Sequence, residues 1–103
     1  MKKLVRDKIP EFLENAKFRK LADSEREPAL RKKLIEETME VIEADSSTNL
    51  IEELGDVYEV ILTYLKFKGV DQATFLKQVE KKRTLKGSFA EFLEMEQGEN
   101  DNQ

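Results

Sequence analysis

The chain contains neither cysteine nor histidine. Without thiols there is no disulfide, no thiolate nucleophile, no zinc-thiolate site and no iron-sulfur cluster. Without imidazole, the Ser-His-Asp and Cys-His triads are excluded, along with the usual near-neutral general base and the commonest ligand of zinc, copper and nickel. Catalysis is left to carboxylates, lysines, arginines, hydroxyls or a hard metal ion. No stretch approaches the roughly 20 apolar residues that span a bilayer, so no membrane association is expected. The opening MKKLVRDKIPEF has no signal-peptide hydrophobic region, and a cytoplasmic protein is expected.

Glycine and proline are also scarce, at four and two residues. Leu, Glu and Lys dominate, with 39% apolar and 39% charged residues, a composition that favours helices over strands. We expect an all-α fold. At 103 residues the chain makes one domain, too small to gain a comfortable core from its own apolar faces, which points to association into a dimer or larger bundle. The net charge of -4 argues against a nucleic-acid polymer as partner, yet it permits a polyanionic ligand bridged by a divalent cation.

Along the chain, Ile9, Phe12, Leu13 and Ala16 at helical spacing predict a short helix over residues 7–16, with Pro10 tolerated in its first turn. Asp7 is expected to cap it. Residues 17–23 read as a connecting loop. Ser24 and Glu27 form an S-x-x-E capping box ahead of a long helix that ends near Ala44. A second long helix, capped by Ser47, Thr48 or Asn49, runs to about Lys68, and Gly69 suits the left-handed position that closes it. Asp71 caps a third helix over residues 72–85, which carries Phe75, Leu76 and Val79 towards the core. Beyond Gly87, Phe89, Phe92 and Leu93 are expected to pack back, completing a domain over residues 1–94. The polar tail, residues 95–103, is expected to be disordered.

Two acidic clusters stand out, Glu36-Glu37-Thr38-Met39-Glu40 and Glu52-Glu53-Leu54-Gly55-Asp56. Residues three apart are neighbours on a helix, so Glu37 with Glu40, and Glu53 with Asp56, each form a two-carboxylate patch. The short connection makes the two long helices antiparallel, which allows the patches to face one another. On the first helix Leu30, Leu34, Ile35, Val41 and Ile42 fill one arc, with Glu37 at its edge. On the second the arc holds Leu50, Leu54, Val57, Tyr58, Ile61, Leu62 and Leu65, and Glu53 falls between Val60 and Tyr64. An ionised acid beside an apolar surface is costly unless something pairs with it. Converging carboxylates suit a hard divalent ion, but a chain with 22 acids also forms such runs as ordinary solvated surface.

The pattern EExxE at Glu36 to Glu40, followed after twelve residues by ExxD at Glu53 to Asp56, resembles the signature of the MazG-like all-α nucleotide pyrophosphohydrolases. The opening Lys3-Leu4-Val5-Arg6-Asp7-Lys8-Ile9-Pro10-Glu11 is similar to the start of their phosphoribosyl-ATP pyrophosphohydrolase-like branch. Lys82, Arg83, Lys86, Gly87 and Phe89 are similar to that branch's basic stretch and Gly-Phe element, with Ser88 where a second glycine is more typical.

The resemblance implies a helical bundle of two long antiparallel helices plus shorter ones, completed as a homodimer or homotetramer. It implies Mg²⁺, with Mn²⁺ as a possible substitute, held by Glu37, Glu40, Glu53 and Asp56, and Glu36 as a catalytic candidate that either positions water or supports the metal ligands from behind. The implied reaction releases pyrophosphate and a nucleoside monophosphate from a triphosphate; phosphoribosyl-ATP is the alternative substrate, and a noncatalytic helical module the alternative to an enzyme. Arg6, Lys82 and Arg83 are the expected phosphate ligands, guanidinium groups being suited to bidentate phosphate contact. Tyr58, Tyr64, Phe67 and Phe89 could line a base pocket, though aromatics at helical spacing more often belong to the core.

Overall fold

The computed structural model describes residues 2–96. Three α-helices follow an N-terminal segment that lacks α-helix: α1 (Asp23–Glu43), α2 (Ser47–Phe67) and α3 (Gln72–Lys86). There is no strand among the described residues. The long helices α1 and α2 pack together, and α3 leans on α2. The all-α expectation is met.

The start of α1 differs from the expected capping box. The helix begins earlier, at Asp23, and Glu25 Oε1 accepts from the Ala22 backbone N–H at 2.8 Å. Arg19 grips the same carboxylate through Nη1 and Nη2 at 3.0 and 2.8 Å. Glu27 is drawn instead to α2, where Tyr64 Oη donates to it at 2.6 Å and Lys68 Nζ at 3.1 Å. A tertiary contact therefore claims the side chain that the local motif assigned to the helix end. Pro28 lies inside α1, where its ring removes one backbone donor from the ladder.

At α2 the cap is Ser46, one residue before the three candidates, with Oγ accepting from Asn49 N–H at 3.1 Å. Gly69 takes the left-handed conformation at φ 73°. Asp71 caps α3 as expected, accepting from Thr74 N–H at 2.9 Å.

The short first helix is absent. Residues Ile9–Glu11 form one 3-10 turn, with no side-chain cap, and residues 13–22 follow without helix. Asp7 sits in the turn ahead of it rather than capping it. With Pro10 at its second position, the turn has no amphipathic face buried against a neighbour: Phe12 and Leu13 are exposed. A short helix without tertiary packing does not sustain itself.

The core is thin in one chain. Only Leu30, at 4% exposure, is fully buried among the described residues. Leu34 and Val41 on α1 and Val57, Ile61, Leu62 and Leu65 on α2 are half-buried, Leu62 and Leu65 beside Val70 and Gln72 where α2 turns into α3. Ile35 and Ile42, placed in the same arc by periodicity, are 66% and 69% exposed, and Leu50, Leu54 and Tyr58 are exposed as well. One partner helix covers only part of each apolar arc. On α3, Phe75 and Val79 are half-buried while Leu76 is exposed. Phe89, Phe92 and Leu93 do not pack back: all three are exposed, Phe92 at 90%. Of the tail, residues 97–103 lie outside the described residues.

Candidate metal and phosphate site

The antiparallel register of α1 and α2 follows from cross-helix pairs such as Glu27 with Lys68 and Arg31 with Tyr64. The same register sets Glu37 opposite the Glu53 and Asp56 turn. Carboxylate oxygens of Glu37, Glu53 and Asp56 lie within 4.8 Å of one another, and all three residues are half-buried. Two helices thus bring together acids that are 16 and 19 residues apart from Glu37 along the chain.

Glu40 lies outside this cluster but close enough to act on it. The Glu53 carboxyl is pushed above its ordinary range, first by burial, then by the charge of Glu40 and after it that of Asp56. A hydrogen bond with Asp56 and the charge of Glu37 add to the shift. No ion pair from a lysine or arginine reaches Glu53 among the described residues. A hard divalent cation relieves this repulsion with the oxygen ligands it prefers, so the donor set fits a metal of the magnesium and calcium kind.

Two cations border the cluster. Lys33, one turn before Glu37 on α1, pairs with Glu37 at 3.1 Å and Glu36 at 3.5 Å. Arg6 reaches in from the N-terminal segment, its Nη2 2.7 Å from Asp56 Oδ1. That hydrogen bond holds the Arg6 guanidinium still more firmly in its charged form.

The N-terminal segment and the α1–α2 pair together enclose an open groove of ≈ 590 Å³, within the range of small-molecule sites. Lys3, Arg6, Asp7 and Lys8 line it from the N-terminal segment, Lys33, Glu37, Asp56 and Glu59 from α1 and α2. Its apolar lining comes from Leu4, Val5, Ile9, Leu30 and Val60. The lining thus combines basic side chains, of the chemistry that suits anionic groups, with carboxylates, of the chemistry that suits a cation.

The residue types in this groove and the match of residues 1–83 to phosphoribosyl-ATP pyrophosphohydrolase point to the same chemistry. The chain belongs to that family. It is therefore a member of the MazG-like nucleotide pyrophosphohydrolase superfamily, an enzyme acting on phosphoanhydride bonds. The family's hydrolases are metal-dependent, in keeping with the acidic triad. No curated protein and no solved structure matches the chain. No described helix is long and apolar enough to cross a membrane.

Of the residues expected at the site, Glu37, Glu53, Asp56 and Arg6 come together, Glu40 lies beside them, and Glu36 stands one residue away on α1, held by Lys33. Lys82 and Arg83 are on the last turns of α3, exposed and outside the groove lining of the single chain. Sequence reasoning passed over Lys33 and Glu59. The i, i+4 spacing of Lys33 and Glu37 was signal enough for the first; Glu59 needed the position of the N-terminal segment. Tyr64 serves as a tie between α1 and α2, and the Tyr58 hydroxyl accepts from Gln72 at the start of α3, so neither lines the groove.

Proposed function

We propose that the chain is a Mg²⁺-dependent pyrophosphohydrolase of nucleoside triphosphates, releasing pyrophosphate and a nucleoside monophosphate. The observation that carries this is the convergence of Glu37, Glu53 and Asp56 within 4.8 Å, beside a groove that Lys3, Arg6 and Lys8 also line. Glu40 completes the ligand set, and Mn²⁺ is the expected substitute. Held by these carboxylates, the ion would supply polarisation of the phosphoryl oxygens and offset the charge that develops on them.

The chain's own groups do the rest. Arg6 holds a phosphate against the metal side of the groove, with Lys3 and Lys8 supplying further positive charge along it. Lys33 keeps Glu36 and Glu37 in place through its two ion pairs. Glu36 orients a water molecule and takes its proton as the water oxygen joins a phosphorus of the α–β phosphoanhydride and that P–O bond breaks, the electron pair leaving on the bridging oxygen, so that pyrophosphate and nucleoside monophosphate separate. No histidine is required. Lys82 and Arg83 complete phosphate recognition from α3, a role that is met most simply if a second copy brings them to the groove.

A homodimer is part of the same reading, with a homotetramer its extension, in the cytoplasm where nucleotides are used. Ile35, Met39 and Ile42 on α1 repeat at helical spacing and are exposed, as are Ile51, Leu54 and Tyr58 on α2. Antiparallel packing sets the two stripes side by side, and a self-complementary contact buries both at once. Sedimentation equilibrium tests it: Ile42→Glu and Ile51→Glu are expected to shift the wild-type dimer to monomer, and a monomeric wild type rejects it.

Family membership favours a second substrate, phosphoribosyl-ATP, which presents the same triphosphate. Pyrophosphate release from canonical and modified nucleoside triphosphates and from phosphoribosyl-ATP, each in Mg²⁺ and in EDTA, separates the two. Release from ordinary triphosphates that EDTA abolishes is expected; release from phosphoribosyl-ATP alone replaces the first reading with the second. Silence throughout, with no effect of divalent ions on stability, returns the chain to a noncatalytic helical module.

A further inference from the structure

We propose that Arg6 is an exchangeable counter-cation, which neutralises Asp56 while the metal site is empty and leaves it for a nucleotide phosphate when the site is loaded. The inference rests on the metal and nucleotide reading above. Its starting point is a conflict within that reading: the residue expected to hold phosphate is bonded, at 2.7 Å, to a carboxylate expected to hold metal. Asp56 cannot give the same oxygen fully to both cations.

The two cations beside the acids are tethered differently. Lys33 projects from α1, is 18% exposed, and holds Glu37, itself 13% exposed. Arg6 stands on non-helical chain ahead of the Ile9–Glu11 turn, with its side chain 59% exposed. An exposed ion pair contributes little to stability, so parting from Asp56 is cheap for Arg6. Lys33 would have to leave a half-buried position. The groove supplies the second station for Arg6, because Lys3 and Lys8 line it with Arg6 and outnumber Asp7 in that segment, and a planar guanidinium fits phosphate as well as carboxylate.

The consequence is a coupling between metal and polyphosphate. Metal alone must displace Arg6 from Asp56 and leave it only the weaker charge attraction of Glu59 and Glu37, whereas metal arriving with phosphates gives Arg6 a new hydrogen-bonded partner. Each ligand therefore strengthens the binding of the other, by the same factor in either order.

The test uses the full chain with Mn²⁺ as probe, free Mn²⁺ being followed by electron paramagnetic resonance, with and without an α,β-methylene nucleoside triphosphate that resists cleavage. Arg6→Gln is expected to bind Mn²⁺ alone about threefold or more tightly than wild type, the order of one exposed ion pair. In the same variant the methylene analogue is expected to tighten Mn²⁺ binding less than it does in wild type. Arg6→Lys, which keeps the charge, is expected to bind Mn²⁺ alone as wild type does. Mn²⁺ affinity that Arg6→Gln leaves unchanged or lowers overturns the exchange while sparing the metal site. Equal tightening by Arg6→Gln and Arg6→Lys also overturns it, since the effect would then come from a loosened segment. Wild-type protein that binds no Mn²⁺ overturns the site reading and the exchange together.

Discussion

Near the open end of the α1–α2 pair, Glu27 accepts from the Tyr64 hydroxyl at 2.6 Å and from Lys68 at 3.1 Å, with Arg31 also at 3.1 Å. Its carboxyl is held down to about 2, first by the Tyr64 bond and then by Lys68. Closer to the connection, on the same two helices, Glu37, Glu53 and Asp56 converge on each other, and Glu53 is pushed upward by burial and by neighbouring acids. The side chains are of one type and the helices are the same. What differs is whether each acid has been given its cation by the fold. A paired carboxylate is finished structure; a set of carboxylates with fewer cations than charges is poised for a ligand.

Exchanging the two regions' roles by mutation is the sharpest way to break this comparison. Glu53→Gln is expected to lower metal-dependent pyrophosphate release by at least about 100-fold, the scale at which even supporting residues of metal sites matter. Its thermal midpoint without metal should equal or exceed wild type, because one repelling charge is gone. Retained turnover in a folded variant removes Glu53 from the site.

Glu27→Gln should show the reverse pattern: a thermal midpoint lowered by roughly a few degrees, as expected when one tertiary tie is weakened in a small domain, with turnover close to wild type. A large loss of turnover at unchanged stability places Glu27 in the machinery and dissolves the distinction.

Titration sharpens the contrast further. Glu27 has a folded pKa of about 2 against an ordinary 4.5, so its contribution is present above about 4.5 and is lost as pH falls towards 2. Glu53 has the opposite sign. Its folded pKa is raised, so the metal-free native state holds that proton more tightly than the unfolded chain, and stability falls as pH rises through the window just above 4.5. Denaturant midpoints against pH are expected to flatten on the acid side in Glu27→Gln and above 4.5 in Glu53→Gln. Equal flattening in both variants contradicts the assignment of opposite signs.

The smallest effect is expected at Arg19, whose two bonds to Glu25 are exposed and local. Arg19→Ala should move the thermal midpoint by no more than about a degree, because an exposed pair adds little to stability. A larger drop identifies the N-terminal segment as part of the stabilising structure.

Local chemistry made much of this molecule legible. Asp71 and Gly69 mark their helix ends as expected because each acts through its own backbone and the next turn. The carboxylates were legible too, since Glu53 and Asp56 are neighbours on any helix, whatever it packs against. The failures occurred where a distant group competed. Ser24 and Glu27 had the spacing of a capping box, and Tyr64 and Lys68, 37 and 41 residues on, took the glutamate. The apolar period of residues 7–16 predicted a helix, yet Phe12 and Leu13 stay largely exposed, and only a 3-10 turn remains.

By itself, then, the order of residues determined the helical class, the ends of α3, the acids of the two long helices, and the exclusion of thiol and imidazole chemistry. These depend on side-chain inventory and on contacts within one or two turns. Only the tertiary structure decided that Glu37, Glu53 and Asp56 share one point while Glu40 stands beside it, that Arg6 occupies Asp56, and that Ile35 and Ile42 remain exposed. Those outcomes depend on helix register, on the path of the N-terminal segment and on how much of an apolar arc one neighbour can cover, none of which a residue's immediate neighbours along the chain encode.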